Sequence, residues 1–166
     1  MAKFFGALRR VVNNTKKLDA NAFFNEFFND RNIQELIIKL NTQDQLFNEG
    51  ITATGNAFKS KSGGLYTRLT EELNLQNSFT LGGVSKEKRE GEPYILFDGG
   101  SFFKSFRVKV NFNNFVIEAN TQKPNKDLAD YGEILGLSNE NLQEVIEFFE
   151  AFLLTEVKKQ ITGPAI

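Results

Sequence analysis

The sequence contains no cysteine, no histidine and no tryptophan, and only 3 prolines and 1 methionine in 166 residues. Without Cys or His, this chain cannot supply thiol chemistry, a Cys- or His-ligated zinc or a Ser-His-Asp triad. The disulfide framework of small secreted domains is excluded as well. Charge of one sign is also lacking. Lys and Arg number 20, Asp and Glu 21, and the net charge is -1. A dedicated nucleic-acid surface needs a basic excess, so no sequence-specific nucleic acid is expected as a partner. No apolar run approaches the length of a bilayer span. The apolar residues near the N-terminus are interrupted by Arg9 and Arg10, with no small-residue cleavage site after them, so they read as mature protein.

Phenylalanine is what the chain has in excess: 18 Phe against 3 Tyr. Phe is large and has no polar tip. This usage fits either a Phe-rich core or surfaces that become buried against partners. Residues 3–17 read as a basic amphipathic helix, with Phe4, Phe5, Leu8, Val11 and Val12 near one face and Arg9, Arg10, Lys16 and Lys17 elsewhere. Such a helix can dock on its own core, serve as a partner-binding arm or lie on a membrane surface. Phe23, Phe24, Phe27 and Phe28 follow at i, i+1, i+4 and i+5, which stacks four rings on one helical face. One small domain is not expected to bury all six rings. Phe4, Phe5, Arg9, Arg10, Phe23, Phe24, Phe27 and Phe28 are therefore the candidate interface, on a helical arm spanning residues 1–30. Residues 31–166 form the single domain.

Asn32 with Glu35 three residues on fits a capping box. Ile33, Leu36, Ile37, Leu40 and Phe47 carry a helix to about residue 48, and Gly50 is placed to stop it in a left-handed conformation. Residues 51–65 read as an exposed loop, and Tyr66–Leu75 as a short helix or an irregular segment. Phe79 and Leu81 hint at a strand before Gly82-Gly83, and 86–91 is a charged loop. The strongest strand signal is Phe106, Val108, Val110 and Phe112 alternating with polar residues. It resumes at Phe115, Ile117 and Ala119 after an Asn113-Asn114 turn. A loop around Pro124 and a helical turn within 127–137 follow. Ser138 then caps a long helix whose apolar positions run from Leu142 to Ile161. The fold class is α+β: N-terminal helices, a small antiparallel sheet with a β-hairpin, and a long C-terminal helix packed on the sheet.

Nothing in this pattern predicts a catalytic, cofactor or metal site. Glu71 and Glu72 are sequence neighbours, not two carboxylates facing across a cleft. Gly82-Gly83 and Gly99-Gly100 lack the spacing of phosphate loops and read as turns. The densest cluster is Glu92 to Phe106, which reads as a scaffold corner. Asp98 can form an Asx turn, Gly99 and Gly100 allow unusual φ, and Ser101 can cap a helical turn holding Phe102, Phe103 and Phe106. The corner set is Asp98, Gly99, Gly100, Ser101, Phe102, Ser105 and Phe106.

The order of these features resembles the phage virion-morphogenesis and tail-completion (neck) proteins, particularly those of Bacteroidetes phages and prophages. Leu46-Phe47-Asn48-Glu49-Gly50-Ile51 and Tyr66-Thr67 match its first two strings. Lys88, Gly91 and Pro93 match a Lys/Gly/Pro stretch. Leu96, Asp98, Gly100, Phe102, Ser105 and Phe106 match its corner, and Tyr131-Gly132 with Ile134-Leu135-Gly136-Leu137 the segment before the last helix. The likeness covers about residues 40–140. Gly99 stands where Thr is usual, and Arg68 where Pro is expected. The resemblance implies a virion protein, present in the host cytoplasm during assembly. It would form a homo-oligomeric ring against neck, portal and tail proteins, without catalysis, cofactor or membrane. Two other classes fit the residues: a non-viral protein-binding adaptor, and a hydrolase using Asp98 with a Glu.

Overall fold

The structure is a computed structural model that describes residues 13–162, apart from Lys61, Gln76 and Asp98. Phe4, Phe5, Arg9 and Arg10, and with them most of the expected N-terminal helix, lie outside the described residues, as does Asp98.

The fold is α+β. Helix α1 (Ala20–Asn29) starts at Asp19, whose carboxylate accepts from the Asn21 and Ala22 amides. Helix α2 (Arg31–Lys39) starts at Asp30 in the same way, with Asn32 N at 2.7 Å and Ile33 N at 3.3 Å. This corrects the expected cap at Asn32. Asp30 stays extended (ψ 129°) and aims its carboxylate at the first free amides, while Glu35 pairs with Arg31 at 2.7 Å. Beyond Lys39 the chain widens into a ten-residue π-helical segment, Leu40–Glu49. The sequence reading had a single regular helix here. The wider winding turns Asn41, Thr42 and Gln45 inward beside Leu46 and Phe47. Gly50 ends the segment left-handed, at φ +69°.

Helix α3 (Arg68–Glu72) is one short turn set by Thr67. Strands β1 (Phe79–Leu81) and β2 (Val84–Lys86) form a hairpin turning at Gly82-Gly83, so part of the expected charged loop is strand. This hairpin lies over the π segment, where Lys86 Nζ donates to the Asn48 carbonyl. Strands β3 (Arg107–Val110) and β4 (Phe115–Glu118) form the expected hairpin. Its tip is Phe112-Asn113, one residue earlier than expected. Asn111 N donates to Asn114 O at 2.8 Å, and Phe112 is left 71% exposed. Neither asparagine takes a left-handed φ. Phe106, Val108, Val110, Phe115 and Ile117 face the core side, while Arg107 pairs across the strands with Glu118 at 2.9 Å. A minimal hairpin, β5 (Gln122–Lys123) and β6 (Lys126–Asp127), turns at Pro124-Asn125. A 3-10 turn at Leu128–Tyr131 follows.

Helix α4 (Asn139–Thr162) begins after Ser138, whose hydroxyl accepts from Asn141 N at 3.3 Å. Phe149 and Phe152 meet Phe27 at ring separations of 5.1 and 5.3 Å. Phe28 touches Phe149 and stacks on Phe115 at 5.0 Å, so α1 links the long helix to the β3–β4 hairpin. Helix α1 therefore belongs to the core. Phe23, Phe27 and Phe28 are all buried and Phe24 is half-buried. This corrects the expectation that the four rings form part of an interface arm. A hairpin face and a long helix both need cover, and these rings supply it within the chain.

Candidate functional site

The strings far apart in sequence meet at one corner. Gly50 passes so close to Pro93 that an added Cβ would lie 2.5 Å from Pro93 Cβ and 2.7 Å from the Tyr94 carbonyl. Segments 64–66 and 91–95 are laced together beside it. Tyr66 N donates to Glu92 O (2.9 Å), Gly91 N to Tyr66 O (3.0 Å) and Tyr94 N to Gly64 O (2.8 Å). Inside, Ile95 N donates to the Tyr66 hydroxyl at 3.2 Å. The chain then reverses through Leu96, the one non-glycine residue with positive φ (+48°) among those described. That conformation costs a residue with a Cβ about 1–2 kcal/mol. Packing on both sides holds it: Ile95 is 1% exposed, and the Phe97 ring lies 5.6 Å from Phe47 and 5.3 Å from Phe103.

Gly100 is left-handed (φ +72°) as expected, while Gly99 is not. A Cβ on Gly100 would press to 3.1 Å from the Phe97 ring. Phe102, Phe103 and Phe106 are buried and pack ring on ring, with Phe102 and Phe106 4.9 Å apart. Ser105 ties the corner to the end of the β4 strand. Its hydroxyl donates to Phe102 O at 2.6 Å and accepts from Asn120 N at 2.9 Å. Ser101 does not cap the turn, which corrects that expectation. It is exposed, and its hydroxyl accepts from Lys123 Nζ at 2.8 Å.

A second node fixes α4. The Gly136 carbonyl accepts from Asn41 Nδ2 (2.5 Å) and Gln45 Nε2 (2.9 Å). Gln45 Oε1 accepts from Ser138 N (2.7 Å), and Asn141 Nδ2 donates to Leu40 O (3.1 Å). Asn41, Gln45, Ser138 and Asn141 are buried, and Asn41 Oδ1 is a fully buried acceptor left without a partner. Sequence reasoning missed this node. Its signal was a pair of amides, four residues apart, inside an apolar helical pattern.

Beside the corner opens a cavity of about 560 Å³. Its wall includes all three tyrosines of the chain, Tyr66, Tyr94 and Tyr131, with Phe97, Phe102 and Phe103 beneath and Lys88, Lys123 and Lys126 around them. Lys126 Nζ lies 5.6 Å from the Tyr131 ring centre. The described lining residues include no carboxylate. The sequence hid this site because the tyrosines and lysines come from separate stretches of chain around residues 66, 88–94, 123–126 and 131.

The carboxylates singled out earlier are structural where described. Glu71 accepts from Glu90 N at 2.9 Å, and Glu72 pairs with Arg68 at 3.0 Å. Glu49 is exposed, and its pKa is raised first by partial desolvation and then by the charges of Glu140 and Asp44. No group of His, Cys, Asp and Glu suited to a metal ion occurs among the described residues. Comparison with family models, with curated proteins and with solved structures finds no match to this chain.

Proposed function

We propose that the chain is a structural virion protein of a phage neck or tail top, a tail-completion protein that joins head and tail. It acts through its surfaces, as a homo-oligomeric ring in contact with neighbouring neck, portal and tail proteins. The observation that carries the reading is the convergence at the corner. Phe47, Gly50, Tyr66, Gly91, Pro93, Leu96 and Gly100 come from strings spread between residues 47 and 100, and they meet in one packed unit. The Tyr66 and Ser105 hydroxyls there hold backbone groups, which suits a scaffold.

The surface supports the same reading. Leu142, Ile146, Phe148 and Leu154 are exposed along α4, as are Leu69, Leu73 and Leu75 in and just after α3. Exposed apolar side chains grouped along one element are what a protein interface draws on. Because α1 is occupied inside the core, the contact surface falls on α3 and α4.

The test is mass spectrometry and electron microscopy of purified particles from the strain that carries the gene. The chain is expected at a low, fixed copy number. Disruption of the gene is expected to leave DNA-filled heads and tails unjoined. Absence of the chain from particles that contain portal and tail proteins overturns the reading and leaves the adaptor class in its place.

A further inference from the structure

We propose that the tyrosine-lysine cavity receives the acidic face of α4 from a second copy of this chain, with Phe148 as the anchor. The inference deepens the assembly reading above and rests on it.

Phe148, Glu140, Glu144 and Glu147 fall at i+8, i, i+4 and i+7, on one side of the helix. All four are exposed, Phe148 by 49%. The inward side of α4 is spent on α1 and the π segment through Val145, Phe149 and Phe152. No described residue of α1, of α4 or of the π segment lines the cavity. The chain therefore carries two unlike surfaces in two places: an aromatic ring flanked by carboxylates, and an aromatic cavity flanked by ammonium groups.

The two match in chemistry. Lys123 and Lys126 make no ion pair with the described carboxylates, so an incoming glutamate has partners. The tyrosine walls suit an edge or offset ring contact with Phe148. A cavity of about 560 Å³ has room for one phenyl ring and the adjoining carboxylates. Because donor and receptor are different surfaces, the contact is head-to-tail, and repeating it gives a ring where the rotation closes.

The experiment is sedimentation velocity of the full chain over a concentration series, at low and high salt. Wild type is expected to associate with concentration, and less in high salt. The double variants Glu144→Lys/Glu147→Lys and Lys123→Glu/Lys126→Glu are each expected to associate at least about tenfold more weakly, because like charges now face each other. Mixing the two variants restores opposite charges at every contact and is expected to restore association. Circular dichroism of each variant checks that it is folded. A wild type that stays monomeric throughout overturns the inference. So does an oligomer indifferent to either double variant, or a mixture that fails to recover. The particle assay is independent. A chain that assembles this way yet is missing from particles keeps the contact and loses the neck assignment. A virion protein that fails here keeps the assignment and loses the contact.

Discussion

Phe47 and Phe148 are both phenylalanines within helical runs, yet Phe47 is fully buried and Phe148 is 49% exposed. The first belongs to the corner, where the π segment, the 64–66 loop and the 91–97 stretch close on one another from three directions. The second belongs to α4, which leans on α1 and the π segment along one side only. Both regions show helical apolar spacing. The spacing says which side of a helix is apolar, and says nothing about whether the chain has another element to lay over it. Closure around Phe47 in the corner comes with close approaches of the chain to itself, through Gly50 against Pro93 and Tyr66 against Glu92.

The comparison can be broken from the corner side first. Phe47→Ala is expected to cost about 3–5 kcal/mol, since the ring is fully buried in the core against Phe97. Urea denaturation measures this, and a loss under about 1 kcal/mol means the corner does not close as described. Gly50→Ala follows, at roughly 2–4 kcal/mol, from left-handed strain plus overlap with Pro93. Gly55 serves as the control, because it has a similar φ (+74°) and nothing within 4 Å of an added Cβ. Gly55→Ala should therefore show the strain alone, about 1–2 kcal/mol. Equal losses at the two glycines remove the close approach from the account.

On α4 the expected effects are smaller. Phe149 is half-buried against Phe24, Phe27 and Phe28, so Phe149→Ala is expected to cost about 1–3 kcal/mol, less than a fully enclosed ring. Leu154 is 62% exposed, and Leu154→Ala should fall within about 0.5 kcal/mol of wild type. A large loss at Leu154 in the same melting series shows that something covers this end of the helix.

The smallest effect lies between the two regions. Glu49 stands directly before Gly50, and its raised pKa comes from partial desolvation first, then from the charges of Glu140 at the start of α4 and Asp44. A carboxyl that binds its proton more tightly when folded is a liability once ionised. Wild type should therefore gain a little stability as pH falls through the folded pKa of Glu49. Glu49→Gln should be slightly more stable near neutral pH and lose that increment of pH dependence. Thermal melts at several pH values check both statements, and a Gln variant that is less stable at neutral pH reverses the sign.

Much of the fold was legible because its signals are local. Gly50 and Gly100 stand where left-handed backbone is needed, and Ser138 precedes a long apolar period. The strands either side of Asn111–Asn114 alternate over a clean period of two. The hairpin tip slipped by one residue because Asn113-Asn114 looked like a left-handed turn, whereas pairing of Val110 with Phe115 set the loop. The cap moved from Asn32 to Asp30 because both are good caps and the bend after α1 decided between them. The cavity was not legible at all. Tyr66, Tyr94, Tyr131, Lys123 and Lys126 share no spacing, and only loop closure brings them together.

By itself, the sequence determined the chemistry open to this protein. Lacking Cys and His, it cannot supply thiol chemistry or a Cys- or His-ligated metal, and its helices and its main hairpin follow from periodicity and capping. Tertiary structure alone decided how the described phenylalanines were shared between core and surface. Phe23, Phe27 and Phe28 read in sequence as rings to be covered by a partner and are buried within the chain, whereas Phe148, in an equally apolar run, is left outside. Hydrophobic burial has no direction of its own. A ring is buried when another element reaches it, and which elements meet is fixed by long-range contacts such as Gly50 with Pro93 and Gln45 with Ser138.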